Sequence, residues 1–271
     1  MWLPKVGSDA AALPDAANPE AIKGVVKALR TSFPDIRVTV DEVLSDSDLV
    51  VVRWTSTGTF AVEFQGVAPT GEQVAWSGTN MFRLACGLIV EVWSESDTLT
   101  QLGLGLDTDT TSLATPDGRA TRSPDCVDLS EEDNTNVAVQ WMDIWKTKDV
   151  SLYEALVSPD TIHHFGLRRD SRGLQALQDG AESFFTAFPD LTHTNEEIAA
   201  EGDLVAVRFS NNGTFTGPFL GAEPTGKEVT WTGINIFRFE CGVVAESWAE
   251  VSSFDLWQQL GILERTATPA S

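Results

Sequence analysis

Trp76 and Trp231 are each followed four residues later by an asparagine, Asn80 and Asn235. Period-two counting puts indole and amide on one face of a long strand. An inward amide demands a hydrogen-bond partner, and a ligand oxygen or an ordered water would serve. The indoles fit either a core or a ligand platform, because both uses bury a large apolar area. The three cysteines carry no metal-site signature. Cys86 and Cys241 each precede a glycine, Cys126 sits in a polar stretch, and no C-x-x-C spacing occurs. Reduced thiols in a cytoplasm, with no bound metal, are the expectation from cysteine usage.

The elements that must position these residues come in two copies. At a shift of 155 residues, 33–97 aligns with 188–252 without a gap, and 29 of the 65 positions are identical. Such a repeat decides architecture before local propensity does. Each copy reads as an antiparallel meander: a strand from Leu49 to Ser56, a Pro69-Thr70-Gly71 turn, a strand from Gln73 to Leu84, a Cys-Gly turn, and a strand from Leu88 to Trp93. Ahead of the second meander the spacing predicts helices over Glu131 to Lys146, near Leu152 to Val157, and over Gly173 to Phe188. Pro189 ends the last of these. Helices followed by a curved meander make an α+β layout with a pocket between sheet and helix. In the first copy Pro19 to Phe33 matches only the third helix, so its cone is expected to lack part of its lid. The sister copy or a second chain would cover that opening, or the true start lies further upstream. The expected division is a first domain over 1–106, a linker over 107–128 rich in Thr, Asp, Pro and Ser, and a complete second domain over 129–265.

Composition narrows the partners. A formal net charge of −22 repels phosphate polymers and anionic membranes, so neither nucleic acid nor a membrane surface is expected as a partner. The same acidity suits either self-repulsion for solubility or a salt-rich cytoplasm that screens it. No apolar run approaches the roughly 20 residues of a membrane span, and Met-Trp-Leu-Pro-Lys-Val-Gly lacks the pattern of an export signal. A cytoplasmic location is the expectation.

The string Phe188-Pro-Asp, Gly202-Asp-Leu-Val-Ala-Val-Arg208, Gly213-Thr-Phe-Thr-Gly217, Pro224-Thr-Gly226, Phe237-Arg238, Glu246-x-Trp248 and Gln259-Leu-Gly261 resembles the SnoaL-like polyketide (ester) cyclases of the NTF2-like, ketosteroid-isomerase-like superfamily. It recurs in the first copy through Gln101-Leu102-Gly103. The resemblance implies two tandem cone-shaped α+β barrels, each a curved antiparallel sheet wrapped around helices, with a ligand pocket in the mouth. It also implies no metal or organic cofactor, a small apolar carbonyl or ester substrate, and pairing of the two repeats with each other. The chemistry would be an intramolecular aldol ring closure, in which one carboxylate takes an acidic C–H proton and returns it to the new alkoxide. A non-catalytic binding or scaffold module of the same fold is the alternative.

The family's acid stands four positions after the tryptophan of Glu-x-Trp. That position is Asp97 in the first copy but Ser252 in the second, where Asp255 is the nearest substitute. The resemblance further assigns Arg83 and Arg238 to a substrate oxygen, Trp93 and Trp248 to the pocket wall, and His163 and His164 to the entrance, while the strand period adds Asn80 and Asn235 to the candidate binding residues. The arginines fit equally an ion pair across a hairpin, with Glu91 and Glu246. A histidine pair at a strand edge is otherwise usually solvated, which is the other reading of His163 and His164.

Overall fold

The computed structural model describes residues 19–104, 127–166 and 168–263. The expected linker falls almost wholly outside these residues, as does the segment in which the first cone's missing lid would be sought. The first half contains α1 (Pro19–Ser32), strands β1 (Arg37–Asp46), β2 (Leu49–Thr59), β3 (Gln73–Ala85) and β4 (Leu88–Ser96), and the short α2 (Thr98–Gln101). The second contains α3 (Glu131–Thr147), a 3-10 turn leading into α4 (Tyr153–Leu156), β5 (Val157–Phe165), β6 (Arg168–Arg172), α5 (Gly173–Ala187), strands β7 (Thr192–Glu201), β8 (Leu204–Thr214), β9 (Glu228–Glu240) and β10 (Val243–Val251), and α6 (Ser253–Leu260).

The three expected strands per repeat are present but are not the whole sheet. A further strand, β1 or β7, precedes them, and β5–β6 extends the second sheet beyond the meander. The first sheet runs β1-β2-β3-β4 and the second β6-β5-β10-β9-β8-β7. All neighbours are antiparallel except β5 and β10, which pair in parallel. Among the described residues neither sheet closes, so the cones are open curved sheets rather than barrels. The curvature has a local cause: β1 bulges between Val40 and Glu42, and β7 bulges at the matching Asn195 and Glu197. A bulge bends its strand and strengthens the twist.

Helix α3 is capped at both ends. The Ser130 hydroxyl accepts from the Asp133 N–H at 3.1 Å, and Lys148 closes the other end in the left-handed region at φ 60°. The concave side of the second sheet holds the larger core, where Trp141 meets Tyr153 and Phe237 edge-on and Phe188 meets Phe215, Phe219 and Trp231. In the first half Phe33, Phe60 and Trp76 form the matching cluster.

The other faces of the two sheets pack against each other around Leu44, Val51, Met81, Ala206, Ile234 and Trp248. The polar contacts across this seam are exchanged by the 155-residue shift. Thr232 Oγ1 donates to Glu95 at 2.6 Å, and its counterpart Ser77 donates to Glu250. Arg53 lies over Trp248 at 4.8 Å while Arg208 lies over Trp93 at 5.1 Å. The Ser45 N–H donates to Glu201 at 2.6 Å, and the Ala200 N–H donates to Asp46 at 3.2 Å. The halves therefore meet by a pseudo-twofold axis, the geometry of an isologous dimer inside one chain.

One expectation is corrected. Cys86 is a free, exposed thiol, but Cys241 is disulfide-bonded, so the thiols are not all reduced and cysteine usage no longer supports a reducing compartment. No described helix is long and apolar enough to cross a membrane.

The seam predicts a stability effect. The Arg53 guanidinium lies 3.2 Å from Asp41 with both side chains almost fully buried, and Thr55 holds the same carboxylate at 2.6 Å. Arg53→Ala would leave Asp41 buried without its cation and uncover one face of Trp248. A loss of about 3 kcal/mol in denaturant unfolding is expected. A loss below ~0.5 kcal/mol would show that Arg53, with its carboxylate and the indole it covers, does not stabilise the seam.

Candidate functional site

Alternation along the strands sorts the candidate residues onto two opposite faces. On β3, Trp76, Asn80 and Phe82 line the concave hollow of the first half, while Ser77, Met81 and Arg83 face the seam. On β9 the hollow receives Trp231 and Asn235, and the seam Thr232, Ile234 and Ile236.

The two hollows differ in kind. That of the first half has a volume of about 440 Å³, inside the range of roughly 300–1,000 Å³ typical of small-molecule sites. Its walls are Val40, Trp54, Phe64, Trp76 and Phe82, with Asn80, Ser94, Ser96 and Gln101 as polar points. One end carries Glu95, together with Ser252, Ser253 and Phe254 from the second half. The matching hollow of the second half keeps only about 40 Å³, room for a few waters. There Trp141 and Trp145 of α3, Tyr153 of α4 and Phe184 of α5 occupy the space beneath the sheet. No described helix of the first half takes the place of α3, and Val38 and Val40 of β1 are correspondingly exposed.

Of the residues singled out from sequence, Asn80 lies in the larger hollow and accepts from the Trp54 indole N–H at 2.5 Å. Asn235 lies in the smaller one, with its amide nitrogen 3.4 Å from Met142 Sδ and its Oδ1 buried without a partner among the described residues. His163 also lines the smaller hollow, its Nδ1 2.9 Å from Ser247 Oγ. His164 points the opposite way, held at 3.0 Å by both Asp170 and Glu246 and stacked on Trp248. Burial works against its charge, yet the two carboxylates outweigh burial and raise its pKa. These histidines are in β5, between β6 and β10, and not at a sheet edge.

Arg83 bonds Glu91 at 2.8 Å, Asp48 at 2.9 Å and Glu197 of the second half at 2.5 Å, and lies 5.5 Å over Trp93. Arg238 bonds Glu246 through Nε and Nη2. The arginines and Trp93 and Trp248 thus belong to the seam and its margin, in the hairpin ion pairs that the sequence left as their second reading.

Asp97 is buried and caps α2, accepting from the Thr100 N–H at 3.1 Å. It lines neither hollow. Its carboxyl instead meets Gly166 and Glu250 of the second half: a Cβ built on Gly166 would stand 2.9 Å from Glu250 Oε2 and 3.2 Å from Asp97 Cβ. Burial pushes the Asp97 carboxyl up to about 6. Glu250 is pushed up to about 8, first by burial and then by the charge of Asp97. Ser252 occupies the cap position of Asp97 in the second half, and its hydroxyl accepts from the Thr232 N–H at 3.1 Å. Asp255 sits in the first turn of α6, where Gln259 donates to it at 2.6 Å, and it too lines neither hollow.

Sequence reasoning missed Glu95, Thr232, Glu250 and Gly166. A signal for the two glutamates was available, since each follows the repeat's tryptophan by two residues and both copies keep it. Among the described residues no cluster of His, Cys, Asp and Glu could hold a metal ion.

The buried acid pair sets a pH dependence. Both carboxyls bind protons more tightly folded than unfolded, so the stability they contribute is complete below the ordinary carboxylate range. It is lost as pH rises through about 6 for Asp97 and about 8 for Glu250. The thermal unfolding midpoint of the native chain is expected to fall between about pH 5 and about pH 9, and Glu250→Gln, which keeps a partner for Ser77, is expected to flatten the fall. Parallel curves for the two proteins would remove Glu250 from this role.

The family model of the SnoaL-like polyketide cyclases matches residues 6–103 and again 135–260. Similar solved structures each cover about half of the chain. AclR of Streptomyces galilaeus, described as a hydroxylase, is 30% identical over 50% of this chain and 85% of its own, with a TM-score of 0.45. A protein of Jannaschia sp. CCS1 described as a SnoaL-like polyketide cyclase is 24% identical over 53% of this chain and 99% of its own, with a TM-score of 0.46. IdmH of Streptomyces antibioticus, described as a polyketide cyclase, is 25% identical over 47% and 98%, with a TM-score of 0.41. No protein of curated function matches the chain.

Proposed function

Because the chain belongs to the SnoaL-like polyketide cyclase family, we propose that it binds a mostly apolar carbonyl or ester compound in the first half's hollow. There it would perform cofactor-independent proton transfer of the ring-closing kind. The observation that carries this reading is the 440 Å³ cleft itself, with indole and phenyl walls and few polar points, beside a sister hollow that side chains have filled. Its apolar walls suit a carbon skeleton, and Asn80, Gln101 and the serines suit its oxygens. Ring closure needs a carbon acid deprotonated next to a carbonyl, which a carboxylate does without a metal when water is excluded. Asp97 is the family's candidate for that role, and it sits between the cleft residues Ser96 and Thr98.

A second reading has its own support. Asp97 spends its side chain on capping α2 and lines neither hollow, so a cleft that holds its ligand without turning it over fits the same geometry.

The test uses linear aromatic poly-β-ketone esters, read by tryptophan fluorescence for binding and by chromatography with mass detection for cyclised product. Saturable quenching is expected, and Phe82→Ala should weaken it by about tenfold through the loss of buried ring area. Product formation supports the catalytic reading, and a drop in Asp97→Asn would give Asp97 the acid–base role in it. Quenching with no product from any member of the panel leaves the binding reading, and no quenching at all ends both.

A further inference from the structure

Both repeats place a glutamate two residues after the seam tryptophan, and in both a hydroxyl of the opposite repeat grips its carboxyl: Thr232 on Glu95, Ser77 on Glu250. Their surroundings then diverge. Glu250 meets the second carboxyl of Asp97 and a spot walled by Gly166. Glu95 instead stands at the end of a cleft with room for a ligand, where the matching position to Asp97 is the neutral Ser252. The same end is completed by Ser253 and Phe254 of α6, so this part of the cleft is built by both repeats.

We propose that Glu95 is the proton-accepting carboxylate of the first-half cleft, and that Thr232, reaching across the seam, is its positioning residue. The proposal rests on the reading of that cleft as the ligand site. Three features fit a base for carbon acids. Glu95 is 4% exposed, so little water competes for it. The 2.6 Å bond from Thr232 fixes one carboxylate oxygen. The neighbouring walls are apolar, which favours transfer of charge from carboxylate to a delocalised carbanion or phenolate. In the ring-closing step the carboxylate takes the C–H proton, the released pair forms the new C–C bond at a carbonyl carbon, and the carbonyl oxygen receives the proton back.

The probe is 5-nitrobenzisoxazole, a flat neutral carbon acid. A base removes its C3 proton, the C–H pair becomes part of a nitrile and the N–O bond breaks to a coloured phenolate. The full chain should bind it with quenching of tryptophan fluorescence and release phenolate with saturable kinetics. Glu95→Gln should keep the quenching and lose at least about tenfold in kcat. Glu95→Asp should recover part of that loss, and serves also if the Gln variant does not fold. Thr232→Val should lower kcat with KM little changed and move the rising limb of the pH–rate profile to higher pH, because an anion-stabilising donor is gone. Glu250→Gln, at a carboxyl that does not line the cleft, should leave the rate within about twofold of the wild type. Full activity in Glu95→Gln, or equal losses in Glu95→Gln and Glu250→Gln, overturns the assignment while the ligand site stands. Absence of quenching by the wild type removes the ligand site as well.

Discussion

Polar groups buried between two sheets must be satisfied there, and in this chain the two buried glutamates Glu95 and Glu250 each take a partner from the opposite repeat. Glu95 and Glu250 face an otherwise apolar layer, and each receives its hydroxyl across the seam. Arg53 and Arg208 cover the indoles of the other half. A buried carboxylate or guanidinium that loses its partner costs several kcal/mol, far more than the pair gains over an apolar replacement. The seam thus penalises separation and wrong registers more strongly than it rewards contact. Fusion adds to this by making the encounter of the two halves intramolecular, at high effective concentration.

The seam also determines where a site can be. A strand shows alternate residues to opposite faces, so a side chain given to the seam is as a rule withheld from the hollow. Glu95, bonded to Thr232 of the seam yet lining the end of the first-half cleft, is the exception. Period two was legible in the sequence, and it placed Trp76 with Asn80 and Trp231 with Asn235 on one face, as found. Which face was concave was not legible, because that depends on the bulges at Val40 and Asn195 and on partners 155 residues away. Hence Trp93, Trp248, Arg83 and Arg238, which the family resemblance gives to a pocket, stand on the seam or its margin. The parallel pairing of β5 with β10 was hidden for the same reason: strands far apart in sequence carry no shared turn signal. The duplication, by contrast, needed only a comparison of the chain with itself, and the helix α3 only its cap and apolar spacing.

The two hollows then show how one fold yields two different interiors. At β2 and β8 the matched wall residues are Trp54 and Phe209, at β3 and β9 Trp76 and Trp231, so the sheets offer nearly the same surface. What differs is the cover. Beneath the second sheet, α3, α4 and α5 fill the concavity with Trp141, Trp145, Tyr153 and Phe184, and such a core gains dispersion contacts that an open cleft forgoes. The described part of the first half has no counterpart of α3, and its exposed valines and emptied cleft are the cost of keeping that volume.

A single difference at matched cap positions carries this asymmetry into electrostatics. Asp97 caps α2 and stands against Glu250, whose carboxyl is thereby held up at about 8. Ser252 stands at the N-cap position of α6 without a side-chain bond to that helix and shares Thr232 with Glu95: the Thr232 N–H goes to the serine, its hydroxyl to the glutamate. A second carboxylate at 252 would put two like charges on either side of one threonine, as Asp97 and Glu250 flank Gly166. Replacing it by serine keeps a hydrogen-bond acceptor for the threonine N–H and removes a like charge from the carboxylate at the end of the open cleft. The loss of aspartate from the second repeat, which read in isolation looks like decay of its own site, therefore also acts on the first repeat, because the seam places position 252 beside the other half's cleft.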